Sequence, residues 1–215
     1  MRLARTLWND NADLASAALA HPFVRGIADG TLPRDRFAGY IAQDGFFLES
    51  FARAYALAIA HSPDRAGLDA FANLLNGVRE ELNVHASYTR KWGIDLSTVA
   101  PTPATAAYSD FLLATAALGG LGLTCAAMTP CMRLYAHLGQ QLAGRPVSDH
   151  YAEWVNTYAD PLFEALATTL EELLDAYTGD NGPDFDKARV IYRRAMRLEL
   201  GFFDAAWNEA AIDPA

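Results

Sequence analysis

Two carboxylates stand on helix faces that should be apolar. Phe37, Tyr40, Phe47, Phe51 and Tyr55 recur at helical spacing, and Asp44 falls on the same stripe, four residues after Tyr40 and three before Phe47. Burying an unpaired carboxylate costs several kcal/mol or raises its pKa, so Asp44 needs donors, a charged partner or a ligand. A structural pairing with a neighbouring helix is the alternative. Near the C-terminus, Tyr192, Ala195, Met196, Phe202, Phe203 and Ala206 surround Glu199 in the same way. An ion pair with Arg193 or Arg197 would be the ordinary explanation, yet neither lies three or four residues away, the spacing that puts two side chains on one face.

Cys131 is the third unusual position. It follows Pro130 inside the helical run CAAMTPCMRLYAHL, with Met128 and Tyr135 on its side. Proline removes a backbone donor and bends a helix, which can open space for a ligand, although a lone buried cysteine more often acts as a small hydrophobe. Phe47, Tyr88, Tyr108, Tyr135, Tyr151, Trp154, Tyr158 and Phe202 supply aromatic faces. Most such residues are core, but buried tyrosine hydroxyls seek partners. Stacking faces combined with acceptors suit a flat, aminated heterocycle. Glu81 and His85 share a helix face with Tyr88 and Trp92 and read as a structural pair. His21, His61, His137 and His150 form no second pair to complete a di-metal carboxylate site.

The elements that must position these residues are helices. Alanine, leucine and charged residues dominate, and no hairpin signal lies between alternating runs. Helices are expected at about 3–20, 22–29, 34–61, 66–92, 104–117, 119–142, 148–158, 160–178 and 184–209, separated by glycine and proline breakers. No linker or internal repeat divides the chain, so residues 1–215 are expected to form a single all-α domain. With 215 residues, 52% of them hydrophobic, a core with room for an enclosed pocket is within reach. The net charge of −9 opposes nucleic acid as a partner. Two cysteines are too few for a disulfide framework and read as reduced thiols; with no secretory leader and no membrane-length apolar run, a cytoplasmic location is expected.

The segment His21 to Ala58, with its Gly-Thr-Leu-Pro turn and Gln43-Asp44 pair, resembles the N-terminal signature of TenA (thiaminase II) proteins. Glu81 to His85 with Tyr88, then Tyr108, MTPCMRLY, YAEWVNTY and RLELGFFDAAW follow in that family's order, so the resemblance covers nearly the whole chain. It implies a heme-oxygenase-like helical bundle, commonly a homotetramer, that hydrolyses aminopyrimidine or thiamin to hydroxymethylpyrimidine without a cofactor or metal. By position, Cys131 would be the nucleophile, Glu199 the acid/base carboxylate and Asp44 the group holding the pyrimidine nitrogen and its amino group. Phe47, Tyr108, Tyr135, Tyr158 and Phe202 would wall the pocket. One departure is Gly45-Phe46-Phe47 after Asp44, where relatives more often carry tyrosines.

Two other functions compete. A metal-dependent oxidase on the same fold would use Glu81 and His85, but needs further ligands from the last helix, which offers Glu199 and Asp204 and no histidine. A non-catalytic regulator is the other; the net charge and the lack of a basic recognition helix count against direct DNA binding.

Overall fold

The computed structural model describes residues 2–94, 99–145, 147–179 and 183–208. The side chains of Tyr88 and Trp92 lie outside what it describes. The described residues form helices only: α1 (Leu3–Asp10), α2 (Ala12–Ala20), α3 (Pro22–Asp29), α4 (Arg34–His61), α5 (Arg65–Trp92), α6 (Pro103–Leu118), α7 (Gly120–Leu142), α8 (Ala152–Ala159), α9 (Pro161–Thr178) and α10 (Pro183–Asn208). None is long and apolar enough to cross a membrane.

Two departures from the expected spans occur, at Asn11 and at the start of α8. The first expected helix is two, because the Asn11 side chain donates to the Leu7 carbonyl at 2.7 Å and the residue leaves helical geometry at φ −114°, ψ 19°. Asparagine competes with the helix ladder in this way. The eighth helix starts at Ala152 rather than 148.

Helix α7 is the centre of the molecule. It is buried on most sides from Gly122 to Leu142 and is surrounded by α4, α6, α8, α9 and α10, as a helix apolar around its circumference must be. It continues through Pro130. Close approach at one end depends on Gly139, where a β-carbon would collide with the backbone of Tyr158 and Ala159 in α8. On its half-buried flank, Arg133 binds α9 through Glu164 (2.7 Å) and Glu171 (2.7 Å). Arg133, two residues from the cysteine, therefore turns away from it and ties α7 to α9.

Gln43, beside Asp44, joins α4 to the start of α6. Its carbonyl oxygen accepts from Thr102 N at 2.9 Å and Thr105 Oγ1 at 2.7 Å, while its amide donates to the Ala100 carbonyl at 3.0 Å. One side chain thus satisfies donors at a helix N-terminus and sets where Tyr108, one turn further along α6, meets α4.

Candidate active site

The expected stripe on α4 is buried along its length, and Asp44 is buried with it at 4% exposure. Its partner comes from α5. Asp44 Oδ2 lies 2.8 Å from His85 Nε2, although that oxygen has no aligned hydrogen bond, so charge carries the contact. Burial alone would lower the pKa of His85, but the Asp44 carboxylate and then Glu81 overcome this and hold it above its ordinary value.

Glu81, one turn before His85, accepts a 2.6 Å hydrogen bond from the Tyr158 hydroxyl of α8. Burial and the nearby Asp44 charge push it up to about 7, against the opposing effects of Tyr158 and His85. Glu81 and His85 are thus not a self-contained structural pair: one bonds Tyr158 and the other faces Asp44. Sequence reasoning missed both as site residues. The signal was present in their four-residue spacing, but only the fold brings Asp44 opposite them.

Glu199 on α10 is 2% exposed. Neither expected arginine reaches it: Arg193 instead pairs with Asp13 at 2.8 Å. Its hydrogen bond is from Tyr108, whose hydroxyl donates to Oε1 at 2.6 Å. Burial pushes Glu199 up to about 8; Tyr108 works against the rise, the Asp44 charge adds to it, and a bond with the Cys131 thiol again opposes it. Cys131 is half-buried. Burial, followed by the charges of Glu199, Glu81 and Asp44, pushes its thiol well above the usual range. At rest it is a thiol, and any chemistry through the sulfur would first need a base to take its proton.

The wall around Asp44, Glu81 and Cys131 is built from Phe47, Leu48, Phe51, Met132, Tyr135, Tyr158 and Phe163. Tyr135 and Tyr158 meet edge to face with centroids 4.7 Å apart. Behind them the Trp154 indole donates to Tyr40 at 3.3 Å, and Tyr40 donates to Tyr135 at 3.1 Å. Tyr108 and Phe202 stand one layer back, against Phe47 at 4.5 and 6.0 Å between centroids. The space inside is only about 10 Å³, room for roughly one water. An aromatic ring can enter only if side chains move.

Asp44, Glu81 and His85 offer ligand atoms within 4.8 Å of one another, close enough in principle to share a cation. Each is already engaged with a neighbouring side chain: His85 Nε2 lies against Asp44, and Glu81 accepts from Tyr158.

The fold is thus an all-α bundle that brings a thiol and a buried carboxylate to one aromatic-walled space, with a second, proton-holding carboxyl against the sulfur. The chain belongs to the TENA/THI-4/PQQC family, whose model matches residues 8–209. It is 34% identical over 217 residues to the aminopyrimidine aminohydrolase of Halalkalibacterium halodurans, covering 97% of each chain. The crystal structure of a TenA family transcription regulator from a Silicibacter species matches with a TM-score of 0.91 and 28% identity, over 96% of this chain and 97% of that one. A domain of unknown function with a heme oxygenase-like fold from Shewanella denitrificans matches with a TM-score of 0.77 at 16% identity, over 95% of this chain and 92% of that one. The fold is therefore heme-oxygenase-like.

Proposed function

We propose that the protein is a hydrolase of the thiamin-related pyrimidines, converting an aminopyrimidine, or thiamin, to hydroxymethylpyrimidine through Cys131. The observation that carries this reading is that Cys131 (α7) and Asp44 (α4) line one aromatic-walled space, with Glu199 (α10) hydrogen-bonded to the Cys131 thiol beside it. In this scheme Asp44, backed by His85, holds the amino group and adjacent ring nitrogen. Glu199 relays the thiol proton to a ring nitrogen as the sulfur adds, which makes the ring an electron acceptor. The adduct expels the group on the methylene carbon, water adds there, and the relay runs backwards as the sulfur departs. Tyr108 keeps the Glu199 carboxyl aimed at the sulfur, and Phe47, Tyr135 and Tyr158 shape the ring slot, with Phe202 packed behind Phe47. The scheme requires no cofactor.

A homotetramer in the cytoplasm belongs to the same proposal. Leu118 and Val190, exposed at 87% and 70%, are apolar side chains of the kind an assembly would cover.

The test is release of ammonia and hydroxymethylpyrimidine from 4-amino-5-aminomethyl-2-methylpyrimidine, run beside thiamin cleavage, for the parent protein and Cys131→Ser. Release from either substrate that drops by at least about 1000-fold in the variant supports the covalent route. Full activity of Cys131→Ser would sink it.

A further inference from the structure

The scheme above leaves Glu81 without a task, and its place in the molecule supplies one. A groove of about 580 Å³ runs over the surface between α5, α8 and α9, floored by Leu74, Val78 and Leu166 and rimmed by Glu80, Glu153 and Asp160. Three side chains line both this groove and the closed inner space: Glu81, Met132 and Phe163. They form the wall between the site and the outside, and Glu81 is the one titratable group among them. Glu199 borders neither space and is engaged with Tyr108 and the cysteine.

The chemistry of the ring says what must lie near Glu81. On an aminopyrimidine of the proposed class, the methylene that carries the leaving group is attached to the ring carbon next to the one bearing the amino group. If Asp44 holds the amino group, the leaving group falls beside Asp44. The ligand atoms of Glu81 and Asp44 lie within 4.8 Å of each other, and Glu81 faces the groove through which a small product would leave.

We propose that Glu81 is a second catalytic carboxyl, which protonates an amine leaving group at the neck of the site and then activates the water that replaces it. This assignment rests on the hydrolase reading and divides its proton work between two residues, Glu199 for the sulfur and ring, Glu81 for the methylene substituent.

The step balances. In the sulfur adduct, the electron pair at the ring carbon forms a double bond to the exocyclic methylene as the carbon–nitrogen bond breaks. That bond's pair stays on nitrogen, which takes the Glu81 proton, and neutral ammonia leaves while Glu81 becomes a carboxylate. Water then adds to the methylene carbon and gives its proton to Glu81, restoring the carboxyl; amine plus water has become alcohol plus ammonia. Burial and Asp44 hold the Glu81 carboxyl up at about 7, so near neutrality it can both lose and regain this proton. The Tyr158 hydrogen bond fixes its orientation.

Leaving-group chemistry provides the test. An unprotonated amino group would have to depart as amide ion and so needs the proton, whereas the thiazolium of thiamin departs as a neutral thiazole and needs none. Glu81→Gln keeps an acceptor for Tyr158 but has no proton to give. Its kcat/KM, which reports steps through leaving-group departure, should fall about 100-fold or more for 4-amino-5-aminomethyl-2-methylpyrimidine and less than about threefold for thiamin. The ratio of the two values cancels any loss of folded protein. An unchanged ratio, whether both values fall or neither does, overturns the assignment and leaves the hydrolase reading intact. Failure of the parent protein on both substrates overturns the hydrolase reading and this assignment with it.

Discussion

Replacing Glu199 with glutamine should change how stability depends on pH, by an amount the structure sets. The folded carboxyl holds its proton up to about 8, against 4.5 for the same group in water. Between those values the folded state binds more protons than the unfolded chain, so stability is highest in acid and falls as pH rises through the window. At 1.36 kcal/mol per unit the whole displacement is worth about 5 kcal/mol, of which roughly 3 kcal/mol falls between pH 5 and pH 8. For a chain of this size that corresponds to about 10 °C in melting temperature. Glutamine retains an acceptor for the Tyr108 hydroxyl and does not titrate, so Glu199→Gln should be the less stable protein, or its equal, at pH 5 and gain steadily on the parent toward pH 8. His85 and Glu81 are also raised, and so bend the parent's curve in the same direction. They do so in the variant too, and the difference between the two melting curves isolates Glu199. Thermal melts by circular dichroism at pH 5, 6, 7 and 8 are sufficient. A gap between parent and variant that stayed constant across that range would refute the idea that Glu199 is held protonated by burial.

Two other predictions concern glycines in opposite situations. Gly139→Ala should destabilise by at least about 3 kcal/mol, because the added methyl meets the backbone of Tyr158 and Ala159 rather than a flexible side chain; urea denaturation measures it, and a smaller kcat in the folded fraction would show that Tyr158 has been displaced. Gly45→Ala should instead stabilise by about 1 kcal/mol, since the position is helical and a β-carbon there meets nothing within 4 Å; an unchanged or lower melting temperature would contradict this.

Much of the site was legible as violations of helical pattern. Asp44 and Glu199 interrupt apolar stripes, and the structure buries both. What periodicity could not reveal is pairing between helices. Glu81 to Tyr158 spans 77 residues and Tyr108 to Glu199 spans 91, and nothing in either local stretch names the partner. Arg193 shows the converse: it is near Glu199 in sequence, yet the turn of α10 points it at Asp13. The all-α class followed from composition and breakers because these are local, whereas the heme-oxygenase-like bundle followed only from the family resemblance. The split at Asn11 did not, because it depends on one side chain competing for the Leu7 carbonyl.

The energetics of the core and its proposed chemistry have a common origin. Three carboxyls and a thiol share one apolar region, and if all were ionised their mutual repulsion and lost hydration would cost far more than a domain's net stability. The protein limits that charge in two ways. Asp44 faces His85, whose affinity for a proton it raises, while Glu81 and Glu199 are pushed toward holding their protons and each accepts a tyrosine hydroxyl. The result is two carboxyls poised near neutrality on either hand of the Asp44–His85 contact, one against the sulfur and one in the wall shared with the outer groove. A site designed only to stabilise the fold would replace these groups with hydrophobes of equal volume. Retaining them makes sense where protons must be delivered at two separate points on one ring.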